Sequence, residues 1–130
     1  MDICLSDSIP ISIHPEWTTV YDLAESIIYV ESRGNDYAIG ALKERGAYQI
    51  RHIRLTDFNQ RTGKRYKIEE LVDRCKSEEI FMYYAGRTSS LEEISRCWNA
   101  GPNGMNKKSS QKYWKLVKER LSCSGKLNNY

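Results

Sequence analysis

Apolar side chains recur at three- and four-residue steps in six stretches of this chain, the spacing that places them on one face of a helix. The first follows Trp17 and runs to about Ser32, with Thr18 or Thr19 as N-cap, Asp22 completing a capping-box-like pair, and Leu23, Ile27 and Val30 along its apolar side. Gly34, with Asn35 beside it, is placed to end that helix. A second helix, from about Gln49 to Gln60, turns Ile50, Ile53 and Phe58 inward and stops at Thr62-Gly63. Ile68, Leu71, Val72 and Cys75 outline a third, and Ile80, Phe81, Tyr83 and Tyr84 a fourth that closes at Gly86. Ser89 or Ser90 caps a fifth, which carries Glu92 and Glu93 in its first turn and Leu91, Ile94, Cys97 and Trp98 on its inner side before Gly101-Pro102. The last runs from about Ser110 to Ser122 with Tyr113, Val117 and Leu121 in one stripe and Trp114 alongside. Between the first two helices, from Asp36 to Gly46, the period lapses into a loop or short hairpin.

One residue breaks this pattern. Glu31 falls on or beside the apolar stripe of the first helix, where a carboxylate is costly to bury. Without a cationic partner it gathers hydrogen bonds or keeps its proton, and a carboxyl protonated near neutral pH is a general acid. As a lone residue it reads better as a helix-end surface charge.

Composition narrows the picture. At 130 residues and 40% hydrophobic, the chain is sized for one domain with one core. The expected architecture is mainly α, a compact bundle of five to seven helices with little or no sheet, preceded by an arm over residues 1–17 and followed by a tail over 123–130. A net charge of +3 favours an anionic polymer only mildly, and no helix-turn-helix spacing supports a nucleic-acid binder, although Lys107, Lys108, Lys112, Lys115, Lys118, Arg120 and Lys126 make the C-terminal end basic. His14 and His52 read as surface residues. Cys4, Cys75, Cys97 and Cys123 lack metal-site spacing; Cys75 and Cys97 read as small core residues and the others as free thiols near the ends. No metal, cofactor or membrane insertion is expected. The N-terminal residues carry no basic start or apolar run of a secretory signal, which points to synthesis in the cytoplasm.

Four motifs then share an order. Glu31-Ser32-x-x-Asn35-x-x-Ala38, Gly46-Ala47-Tyr48-Gln49-Ile50, Trp98-Asn99-Ala100-Gly101-Pro102 and Tyr113-x-x-x-Val117 follow the sequence and approximate spacing of the lytic transglycosylase catalytic domain, and the chain resembles that family from about Val20 to Leu121. The family is similar to goose-type lysozyme in fold, so the resemblance implies a lysozyme-like catalytic domain over residues 18–122 with a substrate cleft. Residue by residue it implies Glu31 as catalytic acid, Ser32 positioning the acid or the sugar, Gln49 contacting the glycan, Asn99 facing an acetamido sugar, and Tyr113 near the acid. Trp98 stands where the family usually has tyrosine and would keep an aromatic wall for a sugar ring. Tyr48, where methionine is common, would lie beside the subsite of Gln49.

The implied reaction is cleavage of the β-1,4 bond between N-acetylmuramic acid and N-acetylglucosamine in peptidoglycan, by a monomer. Ordinary glycosidases pair two carboxylates roughly 5 to 10 Å apart. No second acid falls in a matching motif, and Asp36 and Glu44 read as solvated loop charges. A single acid fits transglycosylation, in which Glu31 protonates the leaving oxygen and then, as carboxylate, deprotonates the 6-hydroxyl of the muramic sugar to give a 1,6-anhydro product. Three alternatives stand beside it: a hydrolytic muramidase, a non-catalytic saccharide-binding or structural domain, and a basic nucleic-acid-binding helical protein. Since the substrate lies outside the cell membrane, a phage particle, a lysis system or a secretion apparatus would have to deliver an enzyme made without a signal.

Overall fold

The computed structural model describes residues 15–123. They form five α-helices, α1 (Pro15–Ser32), α2 (His52–Thr62), α3 (Arg74–Ala85), α4 (Leu91–Ala100) and α5 (Lys108–Cys123), with 3-10 turns at Ile68–Val72 and Gly104–Asn106. No sheet occurs among the described residues, only isolated bridges pairing Arg45 with Ile39 and Ile50. The mainly α expectation holds. No described helix is long and apolar enough to cross a membrane. Residues 1–14 and 124–130, and with them Cys4, His14 and most of the expected arm and tail, lie outside the described residues.

α5 is central to the packing: it lies against both α1 and α4. Its buried stripe Tyr113, Val117 and Leu121 repeats every four residues, meeting Leu23 and Ile27 of α1 in one core with Phe58, Leu71, Ile80 and Phe81. α4 is fixed locally at both ends. The Ser90 hydroxyl accepts the Glu93 N–H at 3.1 Å, and Gly101, at φ 90°, returns its N–H to the Cys97 carbonyl. Buried Arg96 staples the connection to α5, donating to Ser110 Oγ (2.9 Å) and to the carbonyls of Met105 and Lys107 while pairing with Glu92 at 2.7 Å.

Four local readings change. α1 begins at Pro15, so Thr18 and Thr19 lie inside it; proline's fixed φ suits a first helical turn. α2 begins at His52, which leaves Ile50 buried just ahead of it, but Ile53 is 76% exposed. Leu55 and Phe58, three apart, take the inner face instead. The expected third and fourth helices are a 3-10 turn followed by one helix, because the Asp73 carboxylate accepts the N–H groups of Cys75 and Lys76 and starts α3 there. Cys75 and Cys97 are partly exposed rather than core residues.

Candidate functional site

Glu31 continues the stripe of Leu23 and Ile27, both fully buried, one helical turn further on. The helix cannot continue past it. Arg33 (φ 56°) and Gly34 (φ 84°) both turn left-handed, and Arg33 closes the end by donating to the Tyr29 carbonyl. The chain then folds into two small antiparallel steps: Gly46 N–H reaches the Ala38 carbonyl at 2.9 Å, and Arg45 and Ile50 exchange backbone bonds at 3.0 and 2.9 Å.

Ser32 joins these parts. Its hydroxyl is 2.8 Å from the Ala47 carbonyl and 3.2 Å from that of Ile28, so it ties the end of α1 to the Gly46-Ala47-Tyr48-Gln49 segment. Gln49 holds the segment from its other end. At φ 51° it donates its side-chain amide to the carbonyls of Gly46 (2.9 Å) and Ala38 (3.3 Å). Both residues are therefore occupied in building the loop.

The Tyr113 hydroxyl donates to Glu31 Oε2 at 2.9 Å, joining residues 82 apart in sequence. No described residue hydrogen-bonds Oε1. Although Glu31 as a residue is only partly buried, its carboxyl is packed round by protein, and this desolvation pushes it up to about 7. The Tyr113 bond opposes the rise, as does the Arg54 charge, while the nearby Glu44 charge adds to it. Burial and Glu31 together hold the Tyr113 phenol well above its usual value, so it stays a donor.

Two aromatic residues assigned to the sugar lie elsewhere. Tyr48 is fully buried, stacked on Phe81 at 5.0 Å, and Trp98 is 6% exposed with its indole N–H donated to the Tyr48 carbonyl at 3.3 Å. Both are core residues with no face to offer a ring. Asn99, one step further along α4, is exposed. The loop carboxylates are not simply solvated either: Asp36 pairs with Arg74 at 2.6 Å, and Glu44 is partly buried, accepts the Leu42 N–H at 2.7 Å and is felt by Glu31. Glu44 Oε1 and Gln49 Oε1 converge over Gly40, where they lie 2.3 and 2.5 Å from the place a Cβ would take.

Arg54, a charged residue on α2, is turned inward, where its side chain donates to the carbonyls of Cys97 and Trp98 at the end of α4. It is four residues before buried Phe58 and so shares that residue's side of α2, the spacing that marks it in the sequence. Among the described residues no three His, Cys, Asp or Glu side chains gather as a metal site requires.

No protein-family model, curated protein or solved structure matches the chain.

The Tyr113 bond has a measurable role. In Tyr113→Phe the carboxyl loses a donor that favours its ionised form, so its midpoint rises above 7 and the alkaline limb of any Glu31-dependent rate moves up with it. A bond to a charged group contributes roughly 1.5–3 kcal/mol, so the maximum of any such rate should fall about 10- to 100-fold. A pH–rate profile identical to wild type would separate Tyr113 from the acid.

Proposed function

We propose that this protein is a peptidoglycan lytic transglycosylase that cuts the β-1,4 bond after N-acetylmuramic acid. The observation that carries the reading is the buried carboxyl of Glu31, pushed up to about 7 and held through one oxygen by Tyr113. At pH 6 such a group still has its proton, and Oε1 is the oxygen left to deliver it. Protonation of the glycosidic oxygen lets the C1–O bond break with its electron pair leaving on oxygen. The resulting Glu31 carboxylate then takes the proton of the sugar's 6-hydroxyl as that oxygen bonds to C1. A nucleophile carried by the substrate itself has a large effective concentration, so no water need be held in place.

Within this reading Ser32 positions the acid through Ala47, Gln49 keeps its Oε1 for a sugar hydroxyl, and exposed Asn99 meets the acetamido group. The peptidoglycan strand is the partner, the protein acts as a monomer on the cell wall, and a phage or secretion system brings it there. Digestion of purified peptidoglycan, followed by mass spectrometry, tests the reaction. Wild type is expected to release 1,6-anhydro-muropeptides and Glu31→Gln none; products with reducing ends alone would overturn transglycosylation.

Glu44 favours one second reading, hydrolysis. A carboxylate whose charge reaches Glu31 is a candidate base for water, the second member of the pair that ordinary glycosidases use. The two readings diverge in Glu44→Gln, which abolishes a hydrolytic muramidase and leaves anhydro-product formation in a transglycosylase.

A further inference from the structure

The charges of this protein are sorted by side. Every ion pair between described residues lies on α2, α3, α4 or the segments beside them, as Arg61 with Asp57 and Arg96 with Glu92 do. α5 takes part in none. Its solvent side carries Lys108, Lys112, Lys115, Lys118 and Arg120, all exposed, against a single acid, Glu119. No acid stands in the first turn of α5, so the positive end of the helix dipole adds to Lys108 instead of being offset.

Where α5 packs on α1, two arginines share one ring. Arg120 holds its guanidinium 3.8 Å from the Tyr29 ring centroid, and Arg33, just past the end of α1, lies 4.6 Å from the same centroid. Neither meets a carboxylate. Two like charges gathered at one ring repel each other, and an oxyanion bridging their forks relieves that repulsion. The lysines continue the positive surface along α5. Lys108, Lys112 and Lys115 follow at four- and three-residue steps, about 140° to 180° around the helix from buried Val117. From Lys108 to Arg120 the helix rises about 18 Å.

A small anion would engage one or two of these groups, whereas a row of this length suits a chain with a negative charge on each repeat. That chain is not the strand being cut. Val117 shares its stripe with Tyr113, which meets Glu31, so the lysine row is turned away from the acid. Peptidoglycan carries its carboxylates on peptide branches, while a polyol-phosphate polymer carries a phosphodiester in every backbone repeat. Nucleic acid shares that backbone charge, but its single strands are held by bases stacking on free ring faces. Here Tyr29 is occupied by two arginines, and Trp114 is partly buried with Lys118 over it at 6.0 Å.

We propose that the outer face of α5, with the Arg33 and Arg120 pair at its α1 edge, binds a phosphodiester polymer of the cell wall and so holds the enzyme beside its substrate. The choice of a wall polymer rests on the proposed peptidoglycan reaction.

The test measures sedimentation of Glu31→Gln, which digests nothing, with walls carrying attached poly(glycerol phosphate) and with the same walls stripped of it by hydrofluoric acid. Three pairs of substitutions are added in turn, each removing two exposed charges: Lys112→Gln with Lys115→Gln, Arg33→Gln with Arg120→Gln, and, on α2 and the segment after it, Arg51→Gln with Arg65→Gln. Binding to the polymer-bearing walls is expected to weaken about tenfold in each of the first two pairs, with the slope of log affinity against log salt smaller by about 1.5, and to stay unchanged in the third. Equal losses in all three would reduce the effect to net charge and overturn the proposal. Equal binding to stripped walls would do the same, as would tighter binding of single-stranded DNA than of soluble poly(glycerol phosphate) with the same number of phosphates. Digestion of stripped walls by the wild type reports on the reaction separately. Anhydro products there, with no preference for polymer-bearing walls, sink the surface alone; their absence beside polymer-dependent binding sinks the reaction and leaves the surface standing.

Discussion

Glu31→Gln is expected to be more stable than wild type at pH 8, by about 3 kcal/mol, and to lose roughly 10²- to 10⁴-fold in cleavage rate. The stability term follows from where the proton sits. The carboxyl is raised from 4.5 in the unfolded chain to about 7 in the fold. Below pH 4.5 both states hold the proton, and the group contributes nothing to the pH dependence. Between 4.5 and 7 the unfolded chain ionises while the fold stays neutral, so wild-type stability falls as pH rises. Above 7 the folded protein carries the charge and the whole penalty is present. Glutamine cannot ionise, so the gap between variant and wild type is small at pH 4, opens through this window and levels off above it. Urea denaturation at pH 4, 6 and 8 reads the gap directly. A constant difference across the three would mean that Glu31 is solvated and titrates as an ordinary glutamate. Opposite effects of one substitution on stability and rate are expected where a fold keeps an unfavourable group for its chemistry.

What could be read from the sequence divides along the same physical line. α4 was legible because its limits are local: a serine cap, acidic residues in the first turn, and a glycine at the end act within a few residues of themselves. The Tyr113, Val117 and Leu121 stripe was legible for a similar reason, since one period covers the whole helix. Ile53 was misplaced because it was taken with Phe58, five residues on. That spacing puts the two about 140° apart around a helix, and α2 had only Leu55 and Phe58 to bury. Glu31 and Tyr113 came together through their motifs, although nothing local joins residues so distant in sequence. Trp98 and Tyr48 failed as sugar contacts because an aromatic residue next to a polar motif suits a core as well as a cleft, and only three-dimensional packing on Phe81 decides between them. Arg54 was missed for the converse reason. A charged residue on a helix is ordinarily solvated, and its two carbonyl partners lie 43 and 44 residues away.

Gly46→Ala is expected to cost about 2–4 kcal/mol and to remove activity even where the chain still folds. Two separate penalties act at this position. The backbone sits at φ 82°, a left-handed conformation that disfavours any Cβ. The added Cβ would also lie 2.4 Å from the Leu71 carbonyl oxygen, which cannot swing aside freely because the Ser77 hydroxyl holds it at 2.7 Å. Relief therefore has to come from the Gly46 side. Gly46 carries the Ala38 contact through its N–H, its carbonyl accepts both the Gln49 backbone N–H (3.0 Å) and the Gln49 side-chain amide (2.9 Å), and the next residue, Ala47, accepts the Ser32 hydroxyl. Movement there loosens the end of α1, and with it the geometry between Glu31 and Tyr113. Gly63→Ala provides the comparison, since Gly63 has a similar φ of 78° and nothing within 4 Å of an added Cβ, so only the conformational cost of about 1 kcal/mol remains. Denaturation midpoints and cleavage rates of the two variants separate strain from collision. Equal losses in both would show that the approach of Leu71 does not matter. A larger loss in Gly46→Ala, with the Glu31 titration shifted from about 7 and activity reduced beyond what its folded fraction explains, would tie the acid's environment to a backbone contact made on the far side of the loop.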